Sequence, residues 1–116
     1  MSTRIEDIFK CLKENNIEVY FPEQHFGEVK TKYVVVRQQG EDQFGDYSSI
    51  VASVDLYLYV PRNDYSQLQP FIDEVKRVMK LLWPMIKFTD YVSPSYYDDQ
   101  IKGHTVTMTY EYYRKK

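Results

Sequence analysis

The fold is decided by residues 49–83, which read SIVASVDLYLYVPRNDYSQLQPFIDEVKRVMKLLW. In the first part of this stretch, apolar side chains recur at every second residue: Ile50, Ala52, Val54, Leu56, Leu58 and Val60. A spacing of two places these side chains on one face of a β-strand and cannot place them on one side of a helix. Pro61 lacks a backbone N–H and ends the ladder, so the sequence predicts a strand over residues 49–60.

The second part of the same stretch changes to the spacing of a helix. Apolar side chains recur there at steps of three and four residues: Leu68, Phe71, Ile72, Val75, Val78, Met79 and Leu82. Charged side chains such as Asp73 and Lys80 take the opposite side, which is typical of a helix that packs one face on a core. We expect Pro70 in the first turn, where a missing N–H costs little. The pattern predicts a helix over residues 66–82.

The first segment of the chain has the signature of another helix. Thr3 and Glu6 have the spacing of a capping box, in which a hydroxyl and a carboxylate satisfy the free N–H groups of a helix start. Asparagine tolerates the left-handed conformation that ends many helices, so Asn15 and Asn16 mark its end. The sequence therefore predicts a helix over residues 3–14.

Alternating or β-branched patterns predict strands in the rest of the chain. They cover residues 17–21, 32–38, 86–92 and 104–113. Two polar stretches, residues 39–48 and 93–103, are predicted to be loops. In order, these elements predict a single α+β domain over residues 1–116, with a mainly antiparallel sheet of four to five strands packed by two helices on one face.

The composition is that of a globular protein and favours contacts with other proteins. Hydrophobic residues make up 43% and charged residues 28%, and the net charge of -2 gives no indication of nucleic-acid binding. The 12 tyrosines are unusually many, and each offers a large contact area with a polar tip. They either form a protein-binding surface or cover sheet edges and face water.

The cysteine content and the hydropathy indicate a cytoplasmic site of synthesis. The sequence has no signal peptide and no long apolar run, so we expect no membrane contact. One cysteine cannot form an intramolecular disulfide. The helical pattern around Cys11 predicts a buried, unreactive thiol.

No arrangement in the sequence is typical of a catalytic or cofactor-binding site. The nearest approach to a metal site is Asp98, Asp99 and His104, but acidic pairs in such a loop are more often turn formers. We therefore expect no catalytic residue, no cofactor and no metal. An enzyme that uses these three residues is the less favoured alternative, and it predicts metal binding and sensitivity to a chelator.

Residues 54–61 (VDLYLYVP) are followed by a short polar turn and then by Leu68, Phe71, Ile72, Val75 and Met79. This pattern resembles the tail-terminator and head-to-tail joining proteins of long-tailed bacteriophages and prophages. The resemblance extends to the chain length and the order of elements. It implies a virion structural protein without enzymatic activity, made in the cytoplasm of the bacterial host and located in the virion tail. Such a protein forms a homo-oligomeric ring, typically a hexamer. The ring caps the tail tube, contacts the head connector and meets DNA only as passing cargo.

The resemblance implies that exposed segments form the protein interfaces. The residues expected there are Gln43, Phe44, Asp46, Tyr47, Tyr57, Tyr59, Tyr96, Tyr97, Asp98, Asp99, Arg114, Lys115 and Lys116. The basic end at residues 114–116 would face the DNA channel or a neighbouring subunit. The alternative outside this family is a non-enzymatic interaction module or regulatory subunit, which we would expect to be a monomer or a dimer.

Overall fold

A computed structural model describes residues 4–22, 24, 27–44 and 49–115, and for Arg4 and residues 39–44, 49–50 and 113–115 it describes the backbone alone. The elements follow in the order α1 (Arg4–Glu14), β1 (Val19–Tyr20), β2 (Tyr33–Phe44), β3 (Ser49–Pro61), α2 (Leu68–Met79), β4 (Lys87–Val92), β5 (Tyr96–Asp98) and β6 (Gly103–Lys115). Short 3-10 helices flank α2 at Arg62–Gln67 and Lys80–Leu82.

The strands form one six-stranded sheet in the order β1-β2-β3-β6-β4, and β5 also pairs with β6. All neighbouring strands are antiparallel except β1 and β2. Because β3 pairs with the whole length of β6, both β4 and β5 lie along the other edge of β6. β2, β3 and β6 have 12 or 13 residues each. At about 3.3 Å per residue they span about 40 Å, most of the long dimension of a molecule that measures 48 × 25 × 24 Å.

Both helices pack on one face of the sheet, which we call the helix-covered face. Eleven strand side chains on this face are at most 7% exposed: Val34, Val36, Ala52, Val54, Leu56, Leu58, Val60, Val106, Met108, Tyr110 and Tyr112. The helices contribute Ile8, Leu12, Phe71, Ile72, Val75, Val78 and Met79 to the same core. The chain therefore has the predicted α+β fold, a mostly antiparallel sheet with two helices on one face.

The two helices agree closely with the sequence pattern. The segment predicted as a helix over residues 66–82 is α-helical at Leu68–Met79 and continues as a 3-10 helix at Lys80–Leu82. Pro70 lies in the first turn of α2. At the end of α1, Asn16 has the left-handed conformation (φ 65°), and Asn15 Nδ2 donates a hydrogen bond to the Cys11 carbonyl oxygen at 2.8 Å. Thr3, the predicted cap, lies outside the described residues.

The predicted loop over residues 39–48 is wrong for its first part. β2 continues to Phe44 and pairs with β3, so Gln43 and Phe44 belong to a strand. The register shifts between Gln38 and Gly40, and such a bulge lets polar residues and a glycine continue in a ladder that backbone groups hold together. Asp46 and Tyr47 lie outside the described residues.

Two further predicted boundaries are wrong. The predicted loop over residues 93–103 contains β5, which pairs with the start of β6. The last strand does not end at residue 113, because β6 continues through Arg114 and Lys115, opposite Ile50 and Ser49. Lys116 lies outside the described residues.

The strand predicted over residues 17–21 is shorter than expected. Only Val19–Tyr20 pair with β2. No helix among the described residues is long and apolar enough to cross a membrane.

Candidate interaction surfaces

The face of the sheet opposite the helices is the first candidate surface, and we call it the open face. Along β3 its side chains alternate with the buried ones, and Asp55, Tyr57 and Tyr59 are each partly exposed. Thr107 and Thr109 of β6 are also partly exposed on this face. In the part of the chain that the structure describes, no helix covers it.

Tyrosines pack together where the open face reaches the start of β2. The rings of Tyr33 and Tyr59 stack with centroids 4.9 Å apart, and Tyr20 meets Tyr33 edge-on at 5.5 Å. Tyr33 is only 4% exposed, and burial raises the pKa of its phenol to about 12. Burial also raises the pKa of Tyr59. These phenols are neutral at physiological pH and offer an apolar ring surface with polar tips.

A pocket of ≈ 390 Å³ lies on this part of the open face. Its lining combines aromatic, apolar and charged side chains: Pro22, Gly27, Tyr33, Val35, Arg37, Tyr57, Tyr59, Asp98 and Ile101. Three of the predicted interface residues, Tyr57, Tyr59 and Asp98, therefore share one pocket. Mixed lining of this kind suits a partner side chain, because it combines apolar area with a few polar groups that fix orientation.

The polar part of the open face is internally bonded. Thr109 Oγ1 donates a hydrogen bond to Asp55 Oδ1 at 2.7 Å, and Thr89 Oγ1 donates to the Thr109 carbonyl oxygen at 2.8 Å. These bonds join three neighbouring strands through their side chains. The Asp55 carboxylate thus has a structural partner.

Two residues of the metal hypothesis, Asp98 and His104, each have a local partner. Asp98 Oδ1 accepts a hydrogen bond from the Gln100 backbone N–H at 2.9 Å, as turn-forming aspartates do. His104 Nε2 lies 3.2 Å from the Arg62 carbonyl oxygen, and its ring packs against Tyr65 at 4.8 Å and Tyr97 at 5.1 Å. Within the described ranges, no group of three or more His, Cys, Asp and Glu is placed to hold a metal ion.

The predicted interface residues divide between the two ends of the sheet. Tyr59, Thr105 and Tyr96 are register partners across three strands at one end. Phe44 and Lys115 lie at the other end, each opposite Ser49. Tyr96 and Tyr97 are 61% and 38% exposed. Those predicted residues that the structure describes therefore include members in two separate areas of the sheet.

The outer edge of β2 is the second candidate surface, and we call residues 36–44 on this side the β2 edge. The parallel strand β1 pairs only with Val34 and Val35. Beyond these two residues, no strand in the described part of the chain pairs with the outer side of β2. Edge strands of this length are usually protected, because their free N–H and C=O groups pair readily with another chain.

The opposite edge of the sheet has such protection. β4 has a register shift between Phe88 and Tyr91, and Asp90 within it has a left-handed backbone (φ 67°). A bulge with a charged residue bends an edge strand and discourages pairing. β2 also has a register shift, between Gln38 and Gly40, but residues 40–44 beyond it pair with β3 without interruption. This stretch is the longer regular edge and is the one better suited to strand pairing.

The third candidate surface was not found from the sequence, and we call it the Trp83 surface. Leu81, Trp83 and Met85 are 65%, 66% and 49% exposed. Trp83 also lines a pocket of ≈ 320 Å³, together with Lys76, Met79, Lys80, Ile86, Lys87, Phe88, Asp90 and Tyr110, whereas Leu81 and Met85 line a separate pocket beside α1. The signal in the sequence is the run of apolar residues at 81–86 (LLWPMI), since adjacent side chains cannot all face one core.

Cys11 is only partly buried. Its Sγ lies 3.8 Å from the Val78 carbonyl oxygen, and burial, followed by the nearby Glu14 carboxylate, raises the pKa of the thiol. A raised pKa keeps the thiol protonated and lowers its reactivity.

Comparison with known proteins adds support for the fold. No protein-family model matches the sequence, and no curated protein matches it. A solved structure matches over 96% of this chain and 95% of its own, with a TM-score of 0.50 and 14% sequence identity. At this identity the likeness shows the fold alone.

Proposed function

We propose that this protein is a non-enzymatic structural protein of a phage or prophage that assembles with copies of itself into a closed ring on the tail. The order of its elements, which resembles that of tail-terminator and head-to-tail joining proteins, supports the proposal. The observation that carries it is the β2 edge, a long strand edge for which the described part of the chain supplies no partner strand.

The β2 edge offers backbone hydrogen bonds to a second chain at known positions. The Val34 N–H faces outward, because it donates to the Glu18 carbonyl oxygen at 2.9 Å. Along a strand, the N–H groups of successive residues point alternately to one side and to the other. On β3 the alternation is unbroken, so the backbone N–H groups of Ala52 and Ile50 point to the same side as that of Leu58, the residue opposite Val34. Their partners on β2, Glu41 and Gln43, therefore also direct their N–H groups outward.

The two edges of the sheet are different surfaces, and this favours a ring. A contact between the β2 edge of one copy and another surface of the next is heterologous, since the two partners contribute different residues. Repetition of a heterologous contact gives a ring when the rotation between copies closes, and a filament when it does not. The open face would remain available in such a ring for the tail tube or the connector.

Proline substitutions on the two sides of β2 test the proposal. Gln43→Pro removes an outward N–H and no ladder bond within the subunit, whereas Asp42→Pro removes an inward one, opposite Val51. In native mass spectrometry, we expect the wild type to form a discrete oligomer and Gln43→Pro to be a folded monomer. Thermal unfolding should show a clear loss of stability for Asp42→Pro, which serves as the matched control. A Gln43→Pro variant that keeps the wild-type mass contradicts assembly through the β2 edge.

A second function is supported by the pocket of ≈ 390 Å³ on the open face. An interaction module that uses this pocket would bind a partner side chain between Tyr57, Tyr59 and Arg37. It predicts a monomer or dimer as the native species. A monomeric wild type whose partner binding is lost in Tyr57→Ala favours this function over the ring.

A further inference from the structure

The Trp83 surface has the composition of a protein-binding site. Trp83 is 66% exposed beside its pocket, and Leu81 and Met85, two residues before and after it in the chain, are exposed by about half or more. Exposed large apolar side chains, tryptophan in particular, mark sites of protein contact. The chain contains one tryptophan, so the largest aromatic side chain of the protein lies on this surface.

The charges around the Trp83 surface indicate the chemistry of its partner. Lys76, Lys80 and Lys87 line the pocket together with a single carboxylate, that of Asp90. Lys76 Nζ lies 5.4 Å from the centre of the Phe88 ring, an arrangement that holds this ammonium group over the pocket wall. A complementary partner carries carboxylates next to an aromatic or apolar side chain.

A segment of this composition lies on the other side of the same sheet. Residues 41–44 read EDQF and form the end of β2, on the β2 edge. Because β2 and β4 lie on opposite sides of β3 and β6, the segment and the Trp83 surface are separated by two strands within one copy. Contact between them therefore requires a second copy.

The strand register places the two surfaces at the same height along the sheet. Lys87 of β4 is opposite Glu111 of β6, Glu111 is opposite Ser53 of β3, and Ser53 is opposite Gly40 of β2. The row that begins at Lys87 thus ends at Gly40, directly before the acidic segment. Copies placed side by side without displacement along the strands bring residues 41–44 of one copy to the lysines of the next.

We infer that the Trp83 surface of one copy binds the acidic segment, residues 41–44, of a second copy. This inference rests on the proposed self-assembly and names its receiving surface. Glu41 and Asp42 give the segment two negative charges that complement the lysines, and Trp83 loses its exposure to water in the contact. Because the contact joins two different surfaces, every copy contributes its acidic segment to one neighbour and its Trp83 surface to the other, as a closed ring requires.

Charge reversal in trans tests the inference. The first variant is Lys80→Glu with Lys87→Glu, and the second is Glu41→Lys with Asp42→Lys. Each places like charges in the contact, so each variant alone should bind itself at least about tenfold more weakly than the wild type. In an equimolar mixture, the reversed Trp83 surface of one variant can meet the reversed segment of the other, and the two native surfaces can meet likewise, so that each of these contacts joins opposite charges. Analytical ultracentrifugation should therefore show two monomeric variants whose mixture regains the wild-type mass.

The control variant is Lys30→Glu with Arg62→Glu. Both side chains are exposed, both lie outside the lining of the Trp83 surface, and the change in charge equals that of the first variant. We expect this variant to keep the wild-type mass. Circular dichroism of all variants verifies that each is folded.

Fluorescence gives an independent reading of the same contact. Trp83 is the sole source of tryptophan emission in the chain, and its emission should shift to shorter wavelength as the wild type is concentrated, because the indole leaves water. The Lys80→Glu, Lys87→Glu variant should show no shift.

The outcomes separate this inference from the proposed function. An oligomeric wild type whose mass is unchanged by both reversals, or whose reversed variants stay monomeric when mixed, overturns docking on the Trp83 surface and leaves assembly through the β2 edge standing. A wild type that is monomeric at every concentration overturns the proposed function, and the docking with it.

Discussion

The two faces of the sheet are formed by the same strands, but one packs against the helices and the other is partly exposed. On β3, Leu56 and Leu58 point into the helix-covered face and are 0% exposed, while Tyr57 and Tyr59 point into the open face and stay partly exposed. Alternation along a strand thus separates the residues that stabilise the fold from those available for contacts. Substitutions should therefore lower stability strongly on the helix-covered face and only weakly at the exposed positions of the open face.

The largest effect is expected on the helix-covered face. Leu56→Ala removes a fully buried side chain and leaves a cavity among packed neighbours, so it should lower the free energy of unfolding by about 3 kcal/mol. Urea denaturation measures this change. A loss below about 1 kcal/mol would mean that the helices pack only loosely on the sheet.

Tyr33 sharpens the comparison, because it lies on the open face and yet is 4% exposed. We expect Tyr33→Ala to cost about 2 kcal/mol, close to a core substitution, because it removes the ring that stacks on Tyr59. Tyr57→Ala on the same face should cost less than about 1 kcal/mol. Equal losses for the two variants in urea denaturation would contradict the distinction between a buried tyrosine and an exposed one.

The dependence of stability on alkaline pH tests the burial of the same phenol. The pKa of Tyr33 is raised to about 12 in the folded protein, above the value of about 10 for an exposed phenol. Its contribution is fully present below pH 10 and is lost as the pH rises towards 12, since the unfolded chain releases the proton first. Tyr33→Phe should remove this loss. The comparison requires the free energy of unfolding of both proteins between pH 9 and pH 12, and parallel curves would contradict the assignment.

The parts of the fold with a strong period could be predicted from the sequence. β3 and α2 have uninterrupted spacings of two and of three to four residues, because each packs a single face on the core. Pro61 ends β3 and Pro70 lies in the first turn of α2. The fold class follows from the order of these elements.

The parts that could not be predicted depend on pairing rather than on side-chain pattern. The end of β2 is polar and contains Gly40, so its composition is typical of a loop, but β3 extends beside it and supplies backbone partners, while β6 pairs with β3 along the same length. The same holds for β5, which pairs with β6 although its sequence has a turn composition.

The Trp83 surface was missed for a different reason. The helical period of α2 continues through Leu82, which is partly buried, and therefore suggests that the apolar residues around it are also core. The change from an α-helix to a 3-10 helix at Lys80 and the turn that follows direct Leu81 and Trp83 outward. Such a change in helical geometry leaves no clear mark in the spacing of apolar residues.

The native mass of the wild-type protein over a concentration series tests the central claim most directly. Sedimentation velocity should show a monomer of 14.0 kDa in exchange with one discrete larger species whose mass is a whole multiple of it, near that of a hexamer. A closed ring stops growing at that size, because its two different contact surfaces are then all occupied. A monomer at every concentration would contradict self-assembly through the β2 edge.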